Sequence, residues 1–191
     1  MQQRRLPAYT TRYTRRLRLE PIESRHARDL WRIFQDDRIA EWYAGRWTME
    51  QAERVASAMG EAWASDGVSR WIAYHRGTGE LIGRGGCTRA VVDNEPCVEV
   101  GWAIRDRYLR QGYATEIGRE GIIFAFDVLG VSDVIAFTEV HNVASRGVME
   151  RLGMRFDREI LSEGLIEGRE GVHPDAPFAL YRIRRNDMQD R

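Results

Sequence analysis

The chain has 191 residues, which is the length of one ordinary domain. Charged residues make up 30% and hydrophobic residues 43%, a balance typical of a globular protein, and the formal net charge is zero. A protein with zero net charge lacks the excess of basic residues that is typical of nucleic-acid-binding proteins. No apolar run reaches the roughly 18 residues of a membrane span. We therefore predict neither nucleic acid nor membrane as a partner.

The N-terminus, the cysteines and the histidines indicate the compartment and limit the chemistry. Residues 1–6 contain basic side chains but lack the apolar segment that a secretory signal places after them, which predicts a cytoplasmic location. Cys87 and Cys97 are too few for a disulfide framework and are expected to be small buried thiols. The histidines are scattered without the paired spacing of a metal site, so we predict no metal.

All 29 basic residues are arginine, and several of them lie close to the N-terminus. Residues 1–14 are predicted to form a flexible N-terminal tail, followed by a single domain over residues 15–186. The alternative is that the tail is a binding arm. A protein that held RNA or a ribosome with such an arm would bind with a strong salt dependence.

The first part of the domain predicts one strand and two helices. Residues 17–22 alternate apolar and polar side chains and include a proline, which indicates an edge strand. Ser24 is a suitable N-cap for a helix that runs to about Gln35. A second helix is expected to begin at Thr48, because Gln51 three residues later completes a capping box.

The middle of the chain predicts three strands. Residues 71–74 and 81–83 flank a glycine-containing turn, which indicates a hairpin. A further turn at residues 93–96 precedes the clearest strand of the chain. Its side chains alternate between two faces, with Val98, Val100, Trp102 and Ile104 on one and Glu99, Gly101, Ala103 and Arg105 on the other.

The last part of the chain predicts alternating helices and strands. Residues 113–129 show a continuous helical stripe that Gly130 ends. A buried strand is expected at residues 134–137 and a short helix at residues 144–152. Two final strands are expected at residues 155–161 and 178–184, joined by a loop at residues 162–177. This order predicts an α/β (α+β) fold with a mixed, mostly antiparallel sheet and helices on both faces.

The segment that indicates chemistry is a strand that ends at Arg105, followed by a glycine-containing loop and a helix. A helix N-terminus presents unpaired N–H groups and the positive end of the helix dipole, which suit a pyrophosphate. Gly112 permits close approach of the backbone, and Arg110 can add a charged contact. The lysine and hydroxyl residue of a Walker A loop are missing. From the residues alone, a structural turn without a ligand is the more common role of such a helix start.

Several spaced motifs resemble those of a known family. They are Glu99-Val100-Gly101-Trp102, the run from Leu109 to Ala114-Thr115-Glu116, Asn142-Val143-Ala144-Ser145, and Leu152-Gly153-Met154. In these motifs the chain resembles the GCN5-related N-acetyltransferase (GNAT) superfamily, and within it the branch that acetylates the N-termini of ribosomal proteins. The resemblance is specific over residues 98–156 and weaker over residues 17–184.

The resemblance implies a GNAT-like fold that uses acetyl-CoA as co-substrate. It implies that the backbone of Trp102, Ala103 and Ile104 pairs with the pantetheine arm, and that Asn142 hydrogen-bonds pantetheine where two strands splay apart. The residues implied to hold the pyrophosphate are Leu109, Arg110, Gln111, Gly112, Tyr113, Ala114 and Thr115. Leu109 departs from the family, which usually has Gln or Arg at this position. Because backbone amides make the main contacts, we expect CoA binding to survive this change.

Amide formation needs a base for the attacking amine. Glu99 shares a strand face with Gly101 and Ala103, whose small side chains would leave room for a substrate, so Glu99 is the candidate general base. Its alternative role is to pair with a nearby arginine. Glu139 and His141 are further candidates for the base.

The departing thiolate needs a proton. Ser145 falls where the resembling branch places a serine at the thioester sulfur, so it is the candidate that protonates the thiolate or orients CoA. Its alternative role is that of an ordinary residue in the first turn of a helix. Tyr181 is another candidate, because a tyrosine does this work in many acetyltransferases of the fold.

The acceptor is expected to bind between the first two helices and at residues 162–177. Glu41, Trp42 and Tyr43 are the candidate substrate-binding residues, because acidic groups beside aromatic rings suit a cationic or peptidic amine. Plain packing beside a solvated acidic edge is the alternative.

The sequence thus predicts an N-acetyltransferase that moves an acetyl group from acetyl-CoA to a primary amine, in a small molecule or a protein N-terminus, by direct attack in a ternary complex. The first alternative is a CoA-binding regulatory module of the same fold without catalysis. The second is a protein that binds RNA or the ribosome. The acceptor and the oligomeric state stay open, and a homodimer is compatible with the sequence.

Overall fold

The structure is a computed structural model that describes residues 10–188. The strands are β1 (Arg12–Tyr13), β2 (Leu17–Pro21), β3 (Trp71–His75), β4 (Leu81–Val92), β5 (Glu95–Ile104), β6 (Asp133–Glu139), β7 (Arg155–Leu165) and β8 (Val172–Arg184). The α-helices are α1 (Ala27–Ile33), α2 (Asp37–Ala40), α3 (Met49–Asp66), α4 (Tyr113–Phe124) and α5 (Val143–Arg151). Shorter turns of helix are 3-10 at Ser24–His26, Asp106–Tyr108 and Arg185–Met188, and π at Ala125–Leu129.

The eight described strands form one sheet in the order β1-β2-β3-β4-β5-β6-β8-β7. Every neighbouring pair among them is antiparallel except β5 and β6, which run parallel. This confirms the predicted mixed, mostly antiparallel sheet. A parallel pair needs a crossover connection, which α4 supplies. In the part of the chain that the structure describes, no helix is both long enough and apolar enough to cross a bilayer.

The side chains of β5 alternate between two apolar cores, as the sequence predicts. Val98, Val100 and Ile104 belong to the larger core, which α4 and α5 cover. Ala103 belongs to a second core on the opposite face, formed with residues of α1 and α3. Helices therefore cover both faces of the sheet, and β5 lies between the two cores.

The helix starts follow local capping chemistry. Thr48 and Gln51 make the predicted capping box of α3, with hydrogen bonds of 3.1 and 2.7 Å. The predicted cap at Ser24 is wrong. Glu23 precedes the 3-10 turn at Ser24–His26 in an extended conformation, and its N–H donates to Nδ1 of His26 at 3.1 Å. Glu23 therefore takes the N-cap position, one residue before the predicted cap.

The predicted loop at residues 162–177 is also wrong over most of its length. β7 and β8 extend through it as a long hairpin, and only residues 166–171 connect them. β7 is an edge strand of the sheet, so polar and glycine residues such as Glu163 and Gly164 can occupy it without an apolar partner on both faces. Its sequence therefore lacks the pattern by which strands are recognised.

The predicted tail at residues 1–14 needs a correction at its end. Residues 1–9 lie outside the described residues. Arg12–Tyr13, however, form β1, which pairs with β2. The side chains of Arg12 and Thr14 bond to Glu120 and Glu116 of α4. These contacts make the segment from Arg12 part of the domain, because they tie it to both the sheet and a helix.

The close packing of α4 on the sheet gives a stability prediction. A Cβ atom at Gly121 would lie 2.9 Å from Cγ2 of Val100 and 3.2 Å from the backbone of Gly86, which is too close without a shift of the helix. We expect Gly121→Ala to lower the free energy of unfolding by about 1–3 kcal/mol, as overpacking does. Chemical denaturation measures this.

The matched control is Gly60→Ala in α3. A Cβ atom there would lie 3.4 Å from Cα of Glu23, an ordinary contact. We expect this variant to keep or gain stability, by up to about 1 kcal/mol, because alanine has the higher helix propensity. Equal effects of the two substitutions would contradict the packing argument.

Candidate active site

β5 and β6 separate toward their carboxyl ends. Their register contains one pair, Glu99 with Ile135. Beyond it, β5 stays paired with β4 as far as Ile104, and β6 stays paired with β8 as far as Glu139. The opening between residues 101–104 and residues 136–139 is the cleft discussed below. Glu99 lies at its inner end.

The β5 side of the cleft offers unpaired backbone groups. The N–H of Arg105 donates to the carbonyl of Ile82 at 3.0 Å, which turns its backbone toward β4. Along an antiparallel strand, the N–H and C=O groups of successive residues point alternately to one edge and the other. The backbone groups of Trp102 and Ile104 therefore point away from β4 and into the cleft. The backbone of Ala103 points toward β4 instead. Two of the three predicted pantetheine-pairing residues therefore present free groups, and Ala103 does not.

A run of free amides lies at the start of α4. Arg110 and Gly112 have left-handed backbones, with φ of 58° and 81°, in the loop that precedes the helix. Within residues 10–188, no acceptor is found for the six N–H groups of residues 110–115. Such clustered donors at a helix N-terminus suit an anion. Leu109 differs from the prediction, because its N–H donates to the carbonyl of Asp106 at 3.0 Å.

Arg16 brings a guanidinium to the same loop, which sequence reasoning missed. Its Nη1 donates to the carbonyl of Gln111 at 2.9 Å, and its Cζ lies 4.2 Å from the centre of the Tyr113 ring. Its Nε donates to Oε2 of Glu116 at 2.7 Å. The cluster of arginines before residue 17 was the available signal, but nothing local showed that it folds back onto α4.

Glu116 holds this N-terminal segment against α4. Burial raises the pKa of the Glu116 carboxyl group, but hydrogen bonds outweigh that effect and the net pKa is lowered. The bonds come from Oγ1 of Thr14 at 2.6 Å, the N–H of Arg16 at 2.8 Å and Nε of Arg16 at 2.7 Å. The ionised carboxylate is therefore the form that the fold favours.

Glu99 has the arginine partner that the sequence left open. Nη2 of Arg70 donates to Oε2 of Glu99 at 2.9 Å, and Nη1 of Arg70 donates to the carbonyl of Gly86. Nη1 also lies 3.1 Å from the position of a Cβ on Gly101. Arg70 thus fills the space expected beside Gly101, and the second core covers Ala103, so the prediction of room there is wrong. Oε1 of Glu99 has no partner within residues 10–188.

Asn142 and Ser145 lie at the start of α5, just beyond the carboxyl end of β6. Oδ1 of Asn142 accepts the N–H of Ser145 at 3.1 Å, an N-cap that orients the Asn142 side chain. In the described part of the chain, Nδ2 of Asn142 and Oγ of Ser145 have no hydrogen-bond partner. Both groups are therefore available to a ligand, although Ser145 also has the ordinary place of a first-turn residue.

The other candidate acids and bases have different surroundings. The hydroxyl of Tyr181 contacts both Nε of Arg146 and Oε1 of Glu150 at 3.2 Å, so it is engaged behind α5. Glu139 is 7% exposed, and its Oε2 accepts a hydrogen bond from Oγ1 of Thr138 at 3.3 Å. Glu139 is therefore a buried carboxylate at the outer end of the cleft.

Residues 41–43, which we name the strap, reach both sides of the cleft. The hydroxyl of Tyr43 accepts a hydrogen bond from Nη2 of Arg84 on β4 at 2.9 Å. The ring of Trp42 lies 5.2 Å from that of His141, which follows β6. Glu41 is exposed and pairs with Arg38 at 3.7 Å. Of the three predicted substrate-binding residues, Trp42 and Tyr43 thus contact residues at the cleft, whereas the contact of Glu41 is with Arg38 on the surface.

The cysteines and acidic side chains show no sign of covalent or metal chemistry. Burial raises the pKa of Cys87 to about 12, and burial likewise raises the pKa of Cys97. Neither thiol is therefore suited to act as a nucleophile at neutral pH. Across residues 10–188, no group of three or more His, Cys, Asp or Glu side chains could hold a metal ion.

Comparison with known proteins identifies relatives. Residues 16–155 match the family model described as an acetyltransferase (GNAT) domain. The chain is 29% identical over 154 residues to YkkB of Bacillus subtilis, covering 80% of this chain and 90% of that protein. It is also 29% identical over 158 residues to the FsC-acetyl coenzyme A-N(2)-transacetylase of Aspergillus fumigatus, covering 78% and 66% respectively.

A solved structure shows the same fold. The ribosomal-protein-S5-alanine acetyltransferase of Vibrio fischeri aligns with a TM-score of 0.75, over 93% of this chain and 98% of that chain, at 16% identity.

The lowered pKa of Glu116 gives a pH-dependent prediction. We expect Glu116→Gln to lower the free energy of unfolding by about 1–3 kcal/mol at pH 7, because it removes the charge from several hydrogen bonds. A carboxylate with a depressed folded-state pKa stabilises the fold above its unfolded-state pKa, and this stabilisation is lost as the pH falls through the folded-state value. The difference between wild type and variant should therefore shrink below about pH 4.

Chemical denaturation at a series of pH values measures that difference. Glu53→Gln, on the exposed surface of α3, is the control and should change stability little at any pH. A loss in Glu116→Gln that is equally large at acid and neutral pH would contradict the assigned role.

Proposed function

Because the chain belongs to the GNAT acetyltransferase family, we propose that it transfers the acetyl group of acetyl-CoA to the primary amine of an acceptor. The observation that carries the proposal is the run of six free amides at residues 110–115, next to a strand edge with unpaired backbone groups. These two features match the two parts of coenzyme A, a diphosphate and an arm that contains amides.

The residues that would hold acetyl-CoA follow from the free groups. The amides of residues 110–115 bind the diphosphate, and the guanidinium groups of Arg110 and Arg16 add positive charge beside it. The backbone of Trp102 and Ile104 pairs with the pantetheine amides, as an added strand would. Nδ2 of Asn142 donates from the opposite side of the cleft. The bound co-substrate supplies the acetyl thioester.

Two side chains are proposed to move protons. Oε1 of Glu99, which is free, accepts the proton of the attacking amine directly or through a water molecule. Oγ of Ser145 hydrogen-bonds the sulfur and passes its proton to the thiolate, while a solvent water molecule gives a proton back to Oγ in the same relay. Most of the rate gain comes from holding the reactants together and from backbone N–H groups that stabilise the oxyanion. The raised pKa values of both cysteines support direct attack in a ternary complex.

The finer assignment concerns the acceptor and the place of action. The motif around Asn142 and Ser145 supports an acceptor like those of the branch that acetylates ribosomal-protein N-termini, with small-molecule amines as the alternative. Cys87 and Cys97 are free thiols, which supports a reducing cytoplasm as the place of action.

Binding of acetyl-CoA tests the first part of the proposal. We expect isothermal titration calorimetry to show binding by the wild type and at least a tenfold loss of affinity in Gly112→Asp. Aspartate tolerates the left-handed backbone, and its carboxylate would compete for the amides that face the diphosphate. The matched control is Gly168→Asp, because Gly168 has a similar φ of 76° and lies in open space in the β7–β8 turn. We expect this variant to bind acetyl-CoA with unchanged affinity. Absence of heat with the wild type at millimolar acetyl-CoA would overturn the proposal.

Turnover tests the second part. The protein is incubated with acetyl-CoA and a pooled library of amines and peptides, and acetylated products are identified by mass. We expect Glu99→Gln to lower kcat by about 100- to 10000-fold. Ser145→Ala should lower kcat by roughly 10- to 100-fold, on the scale of one lost hydrogen bond to a charged group. Both variants should bind acetyl-CoA within about twofold of the wild type.

Three other outcomes would change the assignment. Loss of activity in Glu139→Gln but not in Glu99→Gln would move the base to Glu139 and leave Glu99 as the partner of Arg70. Binding of acetyl-CoA without any product would favour a regulatory module that senses CoA. Salt-sensitive binding of RNA that is lost when residues 1–9, which precede β1, are removed would favour a nucleic-acid role.

A further inference from the structure

The face of the sheet that carries Glu99 also holds a buried cation without an anionic partner. Arg84 lies on β4 directly opposite Ala103 of β5 and is 8% exposed. Among the described residues, no carboxylate lies within ion-pair distance of Arg84, and its one hydrogen bond runs from Nη2 to the hydroxyl of Tyr43 at 2.9 Å. Nε is enclosed without a partner. A guanidinium has five N–H donors, and leaving a buried one without an acceptor is costly.

A neighbouring arginine shows the usual solution. Arg70 is equally buried, yet it binds the carboxylate of Glu99 and the carbonyl of Gly86. Arg84 has aromatic rings instead, with Phe34 and Tyr43 each 5.3 Å from its Cζ. Aromatic rings attract a cation weakly but do not replace strong acceptors. A carboxylate would do so, because it binds a guanidinium through two parallel hydrogen bonds.

The other buried charged groups described around the cleft do not neutralise the positive charge of Arg84. Arg70 and Glu99 neutralise each other. Continuing the register of Glu99 and Ile135 places Glu139 opposite Ala103 across the cleft. Arg84 lies on the other side of Ala103, so β5 and the cleft separate Glu139 from Arg84. The carboxylate of Glu139 accepts a hydrogen bond from Thr138 instead. The positive charge at Arg84 therefore persists on the strap side of the cleft.

The strap gives a route by which a ligand could reach Arg84. Tyr43, which covers the guanidinium, is 37% exposed. The strap is followed by two residues with left-handed backbones, Ala44 at φ 56° and Gly45 at φ 114°. A non-glycine residue in that region stores strain of about 1–3 kcal/mol, which is common at sites where ligands are clamped. A small shift of Tyr43 would open the guanidinium to the cleft.

We propose that Arg84 binds a carboxylate of the acceptor, so that the substrate class is an amine that carries a carboxylate, such as a free amino acid, which selects the small-molecule alternative over a protein N-terminus. The inference rests on the proposed acetyltransferase function, because it assigns a group at the acceptor side of the same cleft. The acceptor carboxylate takes the free N–H groups of Arg84. Glu99 lies on the same face, four residues or about 13 Å along β5 from Ala103, so it takes the proton of the amine through bridging water rather than by direct contact.

The test compares pairs of acceptors with the same side chain. The probes are the standard amino acids and their α-carboxamides, each with acetyl-CoA and the full chain. We expect the acids to be preferred by at least tenfold in kcat/KM. In Arg84→Gln the kcat/KM for the acids should fall by about 10- to 100-fold, the scale of hydrogen bonds between charged groups, while that for the amides changes by less than about threefold.

Two further variants guard against a structural explanation. Arg89→Gln makes the same change at an exposed residue of the same strand and should leave both rates unaltered. Arg84→Lys keeps the buried charge but not the paired N–H groups, and should show a smaller loss with the acids if Arg84→Gln does not fold. Circular dichroism and acetyl-CoA affinity report whether each variant is intact.

A binding measurement separates failure of this inference from failure of the proposed reaction. Acids and amides are titrated by calorimetry into protein saturated with CoA, without turnover. Preferential binding of acids that Arg84→Gln abolishes supports the inference, even if no acetylation occurs. Acetylation of amides as fast as of acids, an equal effect of Arg84→Gln on both, or no binding of any acid would each overturn it. Acetyl transfer itself would stand in the first two cases.

Discussion

The arrangement of the candidate site depends on one constraint, which is that β5 loses its partner on one side after Glu99 while remaining in the middle of a sheet. Backbone N–H and C=O groups in a protein interior need partners, and an interior strand normally has them on both edges. Here the sheet continues through β6 and β8, and α4 and α5 pack across the same face, so the fold tolerates the gap. The backbone groups of Trp102 and Ile104 that face the gap are thereby left without partners in the sheet. The loop that follows β5 brings the free amides of residues 110–115 to the same region, because it must turn into α4 immediately.

The elements that could be predicted were those with a local cause. Thr48 and Gln51 make a capping box within one turn of helix, and the alternation of β5 follows from the geometry of a strand. The helix start at Gly112 was equally readable, because a glycine before a helical stripe needs no distant partner. The hairpin at residues 162–177 was missed because it extends beyond the end of β6, where β7 and β8 pair only with each other and need no continuous apolar pattern. Local periodicity carries no information about such a strand.

The partners of the site residues could not be predicted, because they depend on the register of the sheet. Arg70 and Glu99 are 29 positions apart, Tyr43 and Arg84 are 41 apart, and Arg16 and Glu116 are 100 apart. Each pair is formed between segments with no pattern that relates them. The sequence could name Glu99 as a candidate base and pairing with an arginine as the alternative, but only the fold shows that Arg70 is there. The same holds for Arg84, which lies in a glycine-rich segment that fits no phosphate-binding motif and whose surroundings come from the strap.

The contacts of Arg16 link the segment that follows β1 to the loop before α4, where the free amides of residues 110–115 lie. β1, Thr14 and Arg16 are fastened to α4 through Glu116 and Glu120, and the guanidinium of Arg16 touches the loop itself. A displacement of β1 would therefore also displace the backbone amides of that loop. A truncation that removed Thr14 and Arg16 would therefore take away contacts of this loop as well as the first strand.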